Sequence, residues 1–348
     1  MKILLTSNRF HPDVGGIETI TDILATHFST SGHDVRVLTQ TSASNCDDQQ
    51  YLFQVLRRPT IGKLLRSYNW ADVVLQNNLE VRQLWPLLLI RRPLVVGLQT
   101  WIRTSTGKRK ILQRLKLVAL RASNDVIACS EAIKQDCLTR ATVIGNPYSS
   151  EVFCQMASVD REQAIGFVGR LVSDKGADML VRAFAALRPT NWRLSVIGDG
   201  PERKRLENLA LELGVDKQVS FTGMLRGQAL ADTLNRHEIV VVPSCWPEPF
   251  GIVALEALAC GCVVLASDGG GLPDAVGSAG ILFKRGDQDD LERQLKYLIQ
   301  NPSARQQLRE CASEHLEGFK QDVVCNRYLS VLEKHCSRKG QKEIESVT

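Results

Sequence analysis

The sequence predicts two doubly wound α/β domains in tandem, and three observations carry that reading. Short aliphatic runs recur along the chain, each stopped by glycine or a polar turn, with stretches of helical spacing between them. Those connections are long enough to join parallel strands. The 348 residues also divide at a polar stretch of weak periodicity, about 148 to 163, leaving more than 140 residues on each side. That is enough for two separate cores. The expected division is 1–155, 156–315, and a last segment, 316–348, whose helix returns to the first domain and whose tail frays.

The first domain opens with Lys2 to Ser7 (KILLTS), a near-continuous apolar strand. Phe10-His11-Pro12-Asp13-Val14-Gly15-Gly16 follows as a turn-rich loop. Ile17 to Phe28 has apolar positions at 17, 20, 23, 24 and 28, which is helical spacing. Asp34 to Thr39 is the next strand. The Gly15-Gly16 pair lets backbone N–H groups approach a ligand closely, but it is not the dinucleotide fingerprint, and a tight turn without ligand is the more common explanation. Further strands are expected at Asp72–Leu75, Leu94–Leu98, Asp125–Ala128 and Thr142–Ile144.

In the second domain Ile165 to Val168 is a strand ending at Gly169. Arg170 and Lys175 flank the polar loop after it, and Ala177 to Leu187 reads as an amphipathic helix. Both cations can reach one diphosphate, Arg through paired hydrogen bonds and Lys as a compact charge. Strand-like Trp192–Ile197 runs into the turn Gly198-Asp199-Gly200-Pro201. Glu202 to Leu213 is a charged helix, and Val219-Ser220-Phe221 is a strand followed by Gly223-Met224-Leu225.

The most informative stretch is Pro243 to Gly277. Ile239 to Val242 reads as a buried strand, broken by Pro247 and Pro249, and Ile252 to Cys260 as a helix. Glu248 therefore sits at a strand's carboxyl end, the usual ligand crevice of an open α/β sheet, and Glu256 lies more than one turn into the helix. The start of that helix suits a phosphate. Two carboxylates beside an anion site describe a pocket for a phosphorylated, hydroxyl-rich ligand such as a nucleotide sugar. A strand–turn–helix with two solvated glutamates is the plain alternative for an isolated pair.

Taken together, these motifs resemble those of retaining glycosyltransferases of family 4, the glycosyl transferases group 1. The resemblance is strongest from Ile165 to Gly277. It implies the GT-B fold, two Rossmann-like domains facing an interdomain cleft. The E-x7-E region of that family implies that Glu248 contacts the donor sugar and Glu256 the nucleotide ribose. The backbone of Pro249-Phe250-Gly251 and Ile252 would meet sugar and phosphate. The family's GR…KG pair implies that Arg170 and Lys175 neutralise the diphosphate leaving group. Such cations stabilise a transition state in which charge grows on the diphosphate. Gly223, Met224 and Leu225 resemble the segment that reads the nucleobase. Gly15 and Gly16 resemble the family's P-x-x-G-G-x-E loop, whose glycines approach donor phosphates or acceptor. Gly145-Asn146-Pro147 resembles the junction where the first domain ends.

One position departs from the family. Many relatives carry a histidine after the strand matching Leu94–Leu98, where Gln99 stands here, followed by Thr100. Glutamine hydrogen-bonds but does not titrate. His11 is the alternative polar group on the acceptor side, although a turn histidine before Pro12 is also explained by exposure alone. Acceptor contacts are expected from loops near Gly15, Gln76 to Asn78 and Gln99 to Arg103.

Hydrophobic residues make up 44% and charged residues 23% of the chain, which excludes a disordered protein. The ten cysteines form no C-x-x-C pair and read as core residues in a reducing compartment. Met1-Lys2 leads straight into a strand, and no apolar run could span a bilayer, so a cytoplasmic protein is expected. No metal or other cofactor is expected beyond the sugar-nucleotide co-substrate. Asp287-Gln288-Asp289 has D-x-D spacing, but it precedes a helix and capping explains it better.

Charge is uneven. Residues 1 to 155 hold 19 Lys and Arg against 12 Asp and Glu, and the remainder 24 against 26. Seven cations and no acid lie between Arg103 and Arg121, with Ile111, Leu112, Leu115, Val118 and Ala119 at helical spacing. This describes either a basic amphipathic helix on an anionic membrane or a domain helix with solvated cations. The segment lacks interleaved aromatics, which argues against nucleic acid.

The leading expectation is sugar transfer from a nucleoside-diphosphate sugar to a glycan or lipid-linked acceptor, in cell-surface polysaccharide synthesis. The alternatives are a GT-B epimerase or phosphorylase and, because of Gln99, a catalytically silent binding subunit.

Overall fold

The computed structural model describes residues 1–13, 15–42, 48–102, 110–137, 140–188 and 191–345. Its chain forms two compact units, Met1–Asn146 with Gln321–Thr348, and Pro147–Lys320.

Unit 1 runs β1 (Lys2–Ser7), α1 (Gly16–Thr30), β2 (Asp34–Thr39), β3 (Gln54–Arg57), α2 (Ile61–Trp70), β4 (Val73–Asn77), β5 (Leu94–Leu98), α3 (Lys110–Ala122), β6 (Asp125–Ala128), α4 (Glu131–Asp136) and β7 (Thr142–Val143). All seven strands are parallel, in the order β3-β2-β1-β4-β5-β6-β7. Every residue of β4 and β5 is buried, as expected of a parallel sheet covered on both faces. α1 turns Ile20, Leu24 and Phe28 inward at i, i+4 and i+8. Each such side chain contributes about 1.5–3 kcal/mol by leaving water.

Unit 2 runs β8 (Glu162–Val168), α5 (Ala177–Leu187), β9 (Arg193–Ile197), α6 (Arg203–Glu212), β10 (Val219–Gly223), α7 (Gly227–Asn235), β11 (His237–Val242), α8 (Ile252–Ala259), β12 (Val263–Ser267), α9 (Leu272–Val276), β13 (Gly280–Phe283), α10 (Gln288–Gln300) and α11 (Pro302–Glu317). Its six strands are also parallel, in the order β10-β9-β8-β11-β12-β13. One core cluster joins Phe167, Leu180, Phe184, Leu194, Ile239 and Leu265 across the sheet.

The helical stretch expected over 316–335 is two elements. α11 stops at Glu317, and α12 (Gln321–Glu345) packs against α1 within unit 1. α12 also runs on through the expected fray to Glu345. Lys, Glu and Gln are good helix formers, so this charged segment opposes a helix less than its polarity suggests. In both sheets the order of strand addition reverses once, between β1 and β4 and between β8 and β11. Loops from neighbouring strands diverge at such a switch point and leave a crevice at the carboxyl edge.

Candidate active site

In unit 2 the loops on either side of the β8/β11 switch carry the cations and carboxylates singled out in the sequence. Arg170 follows β8. Lys175 ends a 3-10 turn, Ser173–Lys175, that leads into α5. Gly176 then adopts φ +69°, where a Cβ would overlap the carbonyl oxygen of Pro243. Only glycine lets this turn lie on the end of β11. Two further bonds tie the loops together, from the N–H groups of Cys245 and Trp246 to the carbonyl of Asp174, at 2.9 and 3.2 Å.

That clamp brings Lys175 and Glu248 together across 73 residues. Lys175 Nζ donates to Glu248 Oε1 at 2.5 Å, and Ser244 Oγ donates to the same oxygen at 2.6 Å. Both bonds fall on Oε1; among the described residues Oε2 takes none and stays available to a hydroxyl. Ser244 is held in turn by its carbonyl, which accepts from Ser267 Oγ at 2.9 Å. Gly271 N donates to the Glu248 carbonyl at 2.7 Å, and Gly270, at φ +67°, leaves no room there for a Cβ. The glutamate's backbone is thus fixed by the glycine run and its carboxylate by a serine and a lysine.

Arg170 is exposed and has no ion pair among the described residues. Its loop is rigid at the backbone. Gly169 N donates to Ile197 O at 3.0 Å and Leu171 N to Asp199 O at 2.9 Å, while Gly198 N donates to Gly223 O at 2.8 Å. These bonds place Gly223, Met224 and Leu225 at the same edge, with Met224 half exposed.

Gly251, at φ +140°, precedes α8, whose first turn has no side-chain cap. Ala254 N donates to Gly251 O at 3.0 Å, while the N–H groups of Ile252 and Val253 take no side-chain cap among the described residues, as suits an anion. Ile252 and Gly251 are partly exposed there, whereas Phe250 is buried and packs on Phe319 at 5.7 Å between ring centres. Pro249 precedes it in the same loop. Glu256 is half-buried on α8, and burial pushes its carboxyl up to about 7. Among the described residues no cation or donor offsets that cost.

Unit 1 holds the remaining predicted residues at its own carboxyl edge. Gly15 and Gly16 start α1, and a Cβ on Gly15 would lie 2.7 Å from Glu18 Oε2, a buried carboxylate. His11 Nε2 stands 3.8 Å from Asp22 Oδ2. Gln99 is buried, its Nε2 donating to Tyr328 Oη at 3.3 Å while its Oε1 has no partner among the described residues. Thr100 Oγ1 donates to Asn78 Oδ1 at 2.9 Å.

Ser244, Gly176 and Tyr328 were missed in the sequence. Ser244 lies four residues before Glu248 but in a loop, where spacing carries no signal. Tyr328 is 229 residues from Gln99. Asp287 is the N-cap of α10 and accepts from Asp290 N at 3.1 Å. Among the described residues no group of three or more His, Cys, Asp or Glu is arranged to hold a metal ion. Arg103 to Arg109, the start of the basic segment, lie outside the described residues, as does Val14.

A pair of Rossmann-like α/β units, each a doubly wound parallel sheet, is the GT-B class of architecture. Comparison with known proteins agrees. Residues 151–315 match the family model of glycosyl transferases group 1. The D-inositol 3-phosphate glycosyltransferase of Stackebrandtia nassauensis is 38% identical over 173 residues, 46% of this chain and 39% of that protein. The matched region thus spans about two-fifths of the length of that curated relative. Among solved structures, Anabaena Alr3699/HepE in complex with UDP superposes with a TM-score of 0.84 at 21% identity, covering 96% of this chain and all of that one. Sucrose-phosphate synthase from Thermosynechococcus elongatus gives 0.80 at 20% identity, covering 96% and 98%. These likenesses establish the fold.

Proposed function

We propose that the protein is a retaining glycosyltransferase of family 4, moving a sugar from a nucleoside-diphosphate sugar to a glycan or lipid-linked acceptor. The observation that carries this reading is the Lys175–Glu248 pair at the β8/β11 switch, with Arg170 and the uncapped start of α8 beside it. The named relatives support the same chemistry: one is a glycosyltransferase, and the Anabaena protein is known with UDP and with UDP-glucose.

In this reading the diphosphate lies against the start of α8, with Arg170 and Lys175 as its counter-charges. Glu248 Oε2 accepts from a sugar hydroxyl, and Glu256 accepts from the ribose. Phosphate oxygen and C1 of the sugar part, and an acceptor hydroxyl bonds to C1 on the same face. The hydroxyl proton passes to the departing phosphate oxygen. No protein base is required, so Gln99 in place of a histidine is compatible with turnover. The two cations and the helix start supply the charge that a metal would otherwise bring, so activity is expected to survive chelation. Polysaccharide assembly is the class of pathway proposed, from the family resemblance alone.

The test is to incubate the protein with UDP-, GDP- and ADP-sugars, with water as the acceptor, and follow nucleotide release, reading the first-formed anomer of the released sugar by NMR before it mutarotates. A retained anomer, with turnover lost in Glu248→Ala, is the expected result. An inverted product, or undiminished turnover in that variant, would overturn the proposal.

A further inference from the structure

Unit 1 presents an apolar surface among unpaired arginines. From Val81 to Asn124 the sequence holds ten Lys and Arg and no Asp or Glu. α3 supplies part of this surface. Its Leu120 is buried, but Ile111, Leu115 and Val118 are 76%, 49% and 61% exposed, at i, i+4 and i+7 along one stripe. α3 packs on a 3-10 turn, Val81–Gln83, which adjoins a second turn, Trp85–Leu88. There Trp85, Leu88 and Leu89 are also exposed, Leu88 by 86%. Arg82, Arg91, Arg114 and Arg121 are exposed on the same elements, and none pairs with a carboxylate among the described residues.

A single exposed leucine is ordinary. Six large apolar side chains on adjoining elements, within 44 residues that contain no acid, are not. We infer that this face docks on an anionic bilayer. The leucines, Ile111, Val118 and Trp85 enter the headgroup boundary while the guanidinium groups hold lipid phosphates. Charge selects this occupant: every counter-charge the face needs must come from outside the segment, and a phospholipid surface supplies it at uniform density. No helix among the described residues is long and apolar enough to cross a membrane, so the contact is peripheral. The inference deepens the proposed function by saying where a lipid-linked acceptor is met. It is read from vesicle binding without donor or acceptor, so either proposal can fail alone.

Flotation of the full chain with vesicles tests it, comparing equimolar phosphatidylcholine and phosphatidylglycerol with phosphatidylcholine alone. Binding is expected on the anionic vesicles only, weakening about tenfold between low and high salt. Leu88→Ser/Leu89→Ser and Leu115→Ser/Val118→Ser should each reduce it about tenfold with an unchanged thermal transition, since these side chains are exposed. Absence of binding at low salt would overturn the inference, as would undiminished binding in both double variants. Self-association lost in those variants would assign the face to a second copy and overturn it too.

Discussion

The two sheets share one topology and differ at their carboxyl edges. Beside the β8/β11 switch the groups are charged and locked, with Lys175 and Ser244 on one oxygen of Glu248 and glycines pressing backbone against backbone. Beside the β1/β4 switch amides predominate, next to the buried Glu18 and the His11–Asp22 pair: Gln76, Asn77 and Gln99 are buried, and each leaves one oxygen without a partner among the described residues. A doubly wound sheet therefore supplies a crevice, and the loop residues decide its ligand. Fixed cations suit a diphosphate; unpaired amide oxygens suit hydroxyl donors, as on a sugar acceptor.

The largest expected effect lies at the charged edge. Lys175→Ala should lower turnover about 10²–10³-fold, the usual loss when one preorganised counter-charge is removed. A rate within a factor of a few of the parent, measured at saturating donor, would break the contrast. Backbone locking comes next. Gly176→Ala is expected to cost about 3 kcal/mol or more in denaturant unfolding, because a left-handed residue would also overlap Pro243. Gly97→Ala, at the amide edge, should change stability by less than about 1 kcal/mol. Its Cβ would meet Asn77 Oδ1 at 3.5 Å and Tyr328 at 3.7 Å, ordinary contacts.

Glu256 gives a pH-dependent test. Its folded value of about 7 lies above the ordinary 4.5. The folded state therefore holds its proton longer, and stability falls as pH rises from 4.5 through 7. Glu256→Gln removes that penalty. It should stabilise the protein by up to about 3 kcal/mol above pH 7 and by almost nothing near pH 4.5, while weakening donor binding. Equal thermal transitions across that range would show that the carboxyl is not strained by burial. A small effect is also expected at the amide edge, where Tyr328→Phe leaves the Gln99 amide N–H without its acceptor. A loss of about 1 kcal/mol is expected, with no change in nucleotide binding.

The same contrast explains what the sequence revealed. The charged edge was readable because its parts are local: Glu248 and Glu256 flank one strand–turn–helix, and Arg170 to Gly176 is a single loop. Their glycines and prolines mark where ordinary backbone would not fit. Most strands were readable as apolar runs. β3, with its polar ends Gln54 and Arg57, was not, and neither were β12 and β13. The Lys175–Glu248 bond could be expected only as a shared locality. The Gln99–Tyr328 bond, formed with a helix from the far end of the chain, had no local signal at all. α3 divides the two readings of the basic segment, since it buries Leu120 yet leaves a second apolar stripe in solvent.

The central claim is that a nucleoside diphosphate binds at the β8/β11 switch. It is tested most directly by thermal shift of the parent and Arg170→Ala with UDP, GDP and ADP under chelator. Arg170 is exposed and has no ion pair among the described residues, so the variant should unfold at the parent's temperature without ligand. One nucleotide is predicted to stabilise the parent by about 2.7 kcal/mol at a hundred times its Kd, and the variant much less. No shift with any of the three, or an equal shift in both proteins, would contradict the account.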